Sequence, residues 1–92
     1  MITLELPRAL GITLEGGTVL TLDSSPATTR DALAELGRKS AAALDRLVNE
    51  RGELREHVNV FIDDENVRFM QGLDTPIPDG STVYVLAAIS GG

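Results

Sequence analysis

Hydrophobic and polar residues alternate with a period of two in several short stretches of the chain, the pattern of half-buried β-strands. The strongest stretch is 57–62, in which Val58, Val60 and Ile62 share one face. The first stretch is ended by Pro7, a residue that cannot donate a ladder hydrogen bond. The pattern predicts strands at 2–6, 18–23, 57–62 and 67–69, and a last strand that begins at Thr82.

The period becomes helical after residue 27. Thr28 is followed three residues later by Asp31, a pairing that resembles a capping box and predicts a helix start. Leu33 and Leu36 then belong to a narrow apolar stripe suited to packing on one face of a sheet. Gly37 either ends this helix or lies within a longer one.

The spacing of Leu44 and Leu47 continues the stripe, so one or two helices are compatible with the segment between Thr28 and Val48. The interpretation we favour places a break between Gly37 and Ala41.

This order of elements predicts an α+β fold. A turn at Gly16-Gly17 joins the first two strands into a hairpin, and the helix leads to the later strands. If the last strand runs parallel to the first, the fold is the β-grasp, or ubiquitin-like, architecture. We therefore expect a mixed sheet of four to five strands with one main helix packed on one face. The predicted core includes Leu4, Leu20, Leu22, Leu33, Leu36, Val58, Val60, Val83 and Val85.

Three large apolar residues fall on the opposite sheet face by the same alternation: Phe61, Tyr84 and Leu86. Scattered surface hydrophobic residues are normal in globular proteins. Aromatic residues are enriched at interfaces, however, and these three lie close to the end of the last strand. We therefore interpret them as a partner-binding patch.

Composition excludes several classes of function. The 92 residues carry a formal net charge of −6. Nucleic acids and anionic membranes bind positively charged surfaces, so this charge argues against either as a partner. The absence of cysteine excludes disulfides, thiolate nucleophiles and thiolate metal sites. No apolar run has membrane-spanning length and no signal segment is recognisable, so we expect a cytoplasmic protein.

The sequence offers one candidate for catalysis and one for metal binding, and the surrounding residues support neither role. His57, the single histidine, has no serine or cysteine partner that the sequence places beside it. The run Asp63-Asp64-Glu65 lacks the spacing of a calcium loop and is typical of a hairpin turn. We expect no catalytic residue and no metal site.

The chain closes with small residues and Gly91-Gly92. Such an end can enter a narrow groove because glycine has few steric restrictions. Its carboxylate is inert to acyl transfer until it is activated, so the tail is better interpreted as a substrate than as a catalyst. The alternative is a frayed terminus. We expect a domain at 1–87 and a flexible tail at 88–92.

The C-terminal third resembles the MoaD/ThiS family of ubiquitin-like sulfur carriers. The resemblance rests on the run 58–69, on Gly72-Leu73-Asp74-Thr75-Pro76, on Asp79-Gly80 and on the Gly-Gly end. Within that family it is most similar to the thiocarboxylate carriers of cysteine biosynthesis. The departures from the family pattern are Ala87, where many relatives have proline, Ser90, where a small apolar residue is usual, and Thr29, where a bulkier apolar residue is common.

The resemblance implies a mechanism and its partners. An E1-like adenylating or sulfurtransferase enzyme would use ATP and magnesium to adenylate Gly92, next to Gly91, and the resulting thiocarboxylate would serve a sulfur-accepting biosynthetic enzyme. A tail-processing metalloprotease is a further candidate partner. The carrier would bind no cofactor of its own and would not be an enzyme. Ile89 and Ser90 would join the partner-binding residues.

Two alternatives use the same tail. The first is a ubiquitin-like protein modifier that forms isopeptide bonds, and the second is the noncatalytic small subunit of a molybdopterin-synthase-like complex. Lys39 is the only lysine, so a modifier with this sequence has few amines through which further copies could be linked to it. This scarcity argues against a modifier that forms chains.

Overall fold

Five strands form one mixed sheet in the order β2-β1-β5-β3-β4. The structure is a computed structural model, and it describes residues 1–7, 18–22 and 26–87. The strands are β1 (Ile2–Glu5), β2 (Val19–Leu22), β3 (Val58–Ile62), β4 (Glu65–Asn66) and β5 (Thr82–Ala87). The turn expected at Gly16-Gly17 and the tail expected at 88–92 lie outside the described residues.

Strand β5 occupies the middle of the sheet. It pairs parallel with β1 and antiparallel with β3. The antiparallel strand β2 flanks β1, and the short β4 flanks β3. A central strand parallel to the first, with helices between β2 and β3, is the β-grasp arrangement that the element order predicts.

Two helices connect β2 to β3. Helix α1 (Thr29–Lys39) begins at Thr28, whose Oγ1 accepts a hydrogen bond from the Asp31 amide at 3.3 Å. Ser40 has extended backbone angles and separates α1 from α2 (Ala41–Leu47). Its own amide donates to the Leu36 carbonyl at 2.8 Å, and its Oγ accepts from the Ala43 amide at 3.1 Å. The break expected between Gly37 and Ala41 is therefore confirmed, and its cause is a serine that caps both helices.

The core lies between one sheet face and the two helices. Val58, Val60, Val83 and Val85 supply its sheet side, and all are at most 1% exposed. Leu20 differs from the expectation, because it is half-buried and packs at the margin of this core. The other predicted core residues are buried: Leu4, Leu22, Leu33, Leu36, Val58, Val60, Val83 and Val85.

The strand predicted at 67–69 is wrong. The structure has a 3₁₀ turn at Val67–Phe69, and the pairing with β3 is made one step earlier by Glu65–Asn66. Asn66 starts the turn, since its Oδ1 accepts a hydrogen bond from the Arg68 amide at 2.9 Å. Local side-chain capping of this kind competes with strand pairing.

Thr29 is fully buried, and both its hydroxyl and its amide have a hydrogen-bond partner. Its hydroxyl donates to the Thr75 carbonyl at 3.0 Å, and its amide donates to the same carbonyl at 2.9 Å. A buried hydroxyl is tolerated when it has a partner. Thr29 therefore fixes the start of α1 to the segment before β5.

Candidate functional site

The end of β5 sets where the predicted tail starts. Ala87, its last residue, lies opposite Val58, the first residue of β3. Since β5 lies between β1 and β3, Ala87 lies at the middle of one end of the sheet. The predicted site residues Ile89, Ser90, Gly91 and Gly92 lie outside the described residues.

The other three predicted site residues share the sheet face opposite the core. Phe61 lies directly opposite Tyr84, and Leu86 lies opposite Asn59. Tyr84 is 39% exposed and Leu86 is 52% exposed, whereas Phe61 is half-buried. We name Phe61, Tyr84 and Leu86 the open-face patch. The structure therefore brings these three side chains to one surface, on which Leu86 directly precedes Ala87 in the chain.

The same row of residues continues across the sheet. Glu5 lies beside Tyr84 on β1, and Val19 lies beside Glu5 on β2. Val19 is 48% exposed. The exposed sheet face therefore has another apolar residue on the far side of Glu5 from the open-face patch. The alternation of Val19 with Leu20 could have indicated this position from the sequence alone.

Phe69 was not anticipated as a surface residue. It is 88% exposed, and its neighbour Met70 is 43% exposed. In a strand Phe69 would share a face with the buried Val67, but a 3₁₀ turn places residues two apart on different sides. The misassigned strand therefore concealed this exposed aromatic side chain.

Arg68 holds the beginning of β3 in place. Its Nη2 donates to the carbonyls of Arg55 and Val58, both at 2.7 Å. Its Nε donates to Oδ1 of Asn59 at 3.2 Å, and Nδ2 of Asn66 donates to the same oxygen at 3.2 Å. This side chain therefore fixes the strand beside which Ala87 lies.

The amino terminus fixes the other end of the sheet. The Met1 ammonium forms an ion pair with Asp79 in the turn before β5. A hydrogen bond from this ammonium, together with its positive charge, lowers the pKa of the Asp79 carboxyl below its ordinary value. The Gly80 amide donates to the Met1 carbonyl at 3.1 Å, so backbone contacts support the same junction.

The described residues show no cluster of side chains suited to holding a metal ion. Within residues 1–7, 18–22 and 26–87, no group of three or more histidine, aspartate or glutamate side chains could hold a metal ion. His57 is exposed. Asp63 accepts a hydrogen bond from the Thr82 amide at 3.0 Å and has a structural position in the β3–β4 turn. None of the described helices is long and apolar enough to cross a membrane.

Comparison with known proteins places the chain in a family. Residues 12–92 match the model of the ThiS family, and this match covers most of the chain. The chain belongs to the ThiS family. The sulfur carrier protein CysO of Mycobacterium tuberculosis is 34% identical to this ThiS-family protein over 73 residues, which cover 77% of this chain and 78% of that protein.

The chain is also similar to a solved structure and to a protein modifier. A chain in the crystal structure of the Amycolatopsis orientalis BexX/CysO complex superposes with a TM-score of 0.81 and 29% identity, and the match covers 100% of both chains. Small archaeal modifier protein 3 of Haloferax volcanii is 35% identical over 66 residues, which cover 72% of this chain and 71% of its own. The expected family and the expected β-grasp fold are confirmed.

Proposed function

We propose that this ThiS-family protein is a sulfur carrier whose Gly92 carboxylate is converted into a thiocarboxylate. The observation that carries the proposal is the family match, which runs to residue 92 and so includes Gly91-Gly92. Similarity to sulfur carriers named CysO supports sulfur donation in cysteine, cofactor or related biosynthesis. The proposal takes Gly92 as the carboxyl terminus.

The chemistry requires activation by a partner. An unperturbed terminal carboxyl has a pKa of about 3.3–3.7, so at neutral pH it is an anion and a poor electrophile. An E1-like enzyme using ATP and magnesium joins this carboxylate to AMP with release of pyrophosphate. A sulfur nucleophile then attacks the carbonyl carbon and AMP leaves. The chain contains no cysteine, so the sulfur comes from a donor outside it.

The protein contributes presentation rather than catalysis. The open-face patch of Phe61, Tyr84 and Leu86 lies beside Ala87, so a partner that docks there holds the tail at a fixed distance. Ile89 and Ser90 would line the same contact. Placing a reactive group within reach of a partner's site supplies much of the rate advantage of an enzyme–carrier complex. The adenylating enzyme and the sulfur-accepting enzyme are the partners we propose.

One observation favours a second function. The similarity to small archaeal modifier protein 3 is comparable with the similarity to CysO, so conjugation through Gly92 is the alternative. A modifier would form an isopeptide bond with a target lysine, whereas a carrier would release its sulfur and regain a carboxylate.

The test is adenylation by the proposed E1-like partner enzyme. Purified carrier, this enzyme, ATP and magnesium should release pyrophosphate without added sulfide. The variant that lacks Gly92 should release none, since its carboxylate falls short of the reacting position. Equal pyrophosphate release from both proteins would contradict the assignment of Gly92.

A further inference from the structure

An open cavity of about 510 Å³ lies outside the open-face patch, between the α2–β3 loop and the turns that follow β4. Arg30, Arg51 and Arg68 line it, and we name it the arginine cavity. These are three of the eight basic residues of a chain whose net charge is −6. The cavity is therefore a local basic site on an acidic protein.

The acidic groups at the arginine cavity leave a positive balance. Glu53 also lines the cavity, and its Oε1 accepts a hydrogen bond from Nδ2 of Asn49 at 3.4 Å. Asp74 forms a long ion pair of 3.4 Å with the exposed Arg30. Arg51 forms no ion pair with the residues that the structure describes. At least one guanidinium is thus available to an incoming anion.

Arg68 is ordered before any ligand arrives. Its Nη2 and Nε donate to three backbone carbonyls and to Asn59, while no described residue accepts from Nη1. Immobilising a long side chain on binding ordinarily costs conformational entropy. A partner that contacts Arg68 avoids that cost, because the fold already holds the guanidinium.

The lining also has an apolar part. Leu54 and Leu73 are half-buried, line the cavity and pack against the core. A fully hydrated small anion gains nothing from such a surface. A peptide segment that combines carboxylates with an apolar side chain matches both parts of the lining.

Asn59 connects the arginine cavity to the open-face patch. Asn59 accepts from Arg68 on one side and lies opposite Leu86 on the other. Only Asn59 therefore separates Leu86 from Arg68, and a protein that covers Leu86 and Tyr84 comes close to the Arg68 guanidinium. Charge complementarity at the margin of an apolar contact supplies specificity and a faster association.

We propose that the arginine cavity binds an acidic loop of the protein that docks on the open-face patch. The loop places an aspartate or glutamate between Arg51 and Arg68 and an apolar side chain against Leu54 and Leu73. The inference rests on the proposed function only for the identity of that protein. The acidic and apolar character of the loop is inferred from the arginine and leucine side chains that line the cavity.

The experiment is an NMR titration of the intact protein, followed through its arginine Nε–H signals. The probe is the capped peptide Asp-Leu-Glu-Asp, and Asn-Leu-Gln-Asn is its uncharged match. We expect saturable shifts of the Arg51 and Arg68 signals with the acidic peptide alone. Arg51→Glu should weaken binding about tenfold or more, since a like charge then faces the carboxylates. Arg46→Glu makes the same charge change at an exposed position of α2 and should leave the affinity within about twofold, as expected for a charge away from the contact.

Several results would overturn the proposal. They are no saturable shift, equal shifts with the uncharged peptide, or equal weakening in both variants. Equal saturation by inorganic phosphate would show a small-anion site instead. Altered Arg51 and Arg68 signals after removal of residues 88–92 would show that the protein's own tail occupies the cavity. No activating enzyme takes part, so a failure of thiocarboxylate formation leaves these outcomes readable.

Discussion

Phe61 and Tyr84 lie directly opposite each other on the antiparallel strands β3 and β5, on the sheet face away from the core. Their neighbours Val60 and Val85 are likewise paired and are at most 1% exposed. On each strand, two adjacent positions are therefore divided between the buried core and the exposed sheet face. Substitutions on the two faces should have separable effects.

On the exposed face, Tyr84→Ala and Leu86→Ala should each weaken binding of the E1-like enzyme. Truncation of an aromatic or apolar anchor at an interface typically costs about 2 kcal/mol or more, which is about thirtyfold in Kd. Isothermal titration calorimetry with each variant measures this loss. Phe69→Ala is the matched control, because it removes an exposed aromatic ring outside the open-face patch. Equal losses in Phe69→Ala and Tyr84→Ala would assign recognition to another surface.

On the core face, Val60→Ala should lower the free energy of unfolding by about 1–3 kcal/mol. The loss combines the transfer of two methyl groups with the cavity they leave. Urea unfolding should show a lower midpoint and an unchanged slope, since the exposed surface on unfolding stays nearly the same. Val19→Ala removes the same two methyl groups at a position that is 48% exposed, and its midpoint should barely move. A larger effect at Val19 than at Val60 would contradict the described packing.

Much of this division was predictable from period-two alternation, because alternation records which face each side chain occupies. It placed Val60 and Val85 inside and Phe61, Tyr84 and Leu86 outside. It failed at Phe69, where the capping bond from the Arg68 amide to Asn66 replaces strand pairing. The arginine cavity was not predictable, since Arg30, Arg51 and Arg68 come from separate segments that only the fold brings together.

Arg68→Gln should loosen the start of β3. The substitution removes the donors that reach the carbonyls of Arg55 and Val58. An acceptor left without its partner costs about 1–3 kcal/mol when it is shielded from water. Amide hydrogen exchange should therefore accelerate at Val58 and at Ala87, its neighbour across the ladder. Arg46→Gln, at an exposed position of α2, is the control and should leave both rates unchanged.

The ion pair between the Met1 ammonium and Asp79 predicts a dependence of stability on pH. Because the folded protein lowers the pKa of Asp79, the carboxylate stabilises the fold at pH values above the unfolded pKa. This contribution disappears as the pH falls through the folded pKa. Asp79→Asn should therefore be less stable than the unmodified protein near neutral pH and equally stable in strong acid. The effect should be small because the pair is exposed.

Thermal unfolding at a series of pH values measures that difference. Asp64→Asn removes another exposed carboxylate and is the control. A stability gap for Asp79→Asn that stays constant from neutral pH into acid would contradict the role of the ion pair.

Intact mass spectrometry shows whether Gly92 carries sulfur. The protein is incubated with the proposed E1-like partner enzyme, ATP, magnesium and sulfide, and its C-terminal peptide is then fragmented. We expect a mass increase equal to the replacement of one oxygen by one sulfur, located at Gly92 and absent when ATP is omitted. Addition of the sulfur-accepting enzyme and its substrate should return the mass to its starting value. An unchanged mass despite pyrophosphate release, or a stable isopeptide adduct on a lysine, would contradict the carrier assignment.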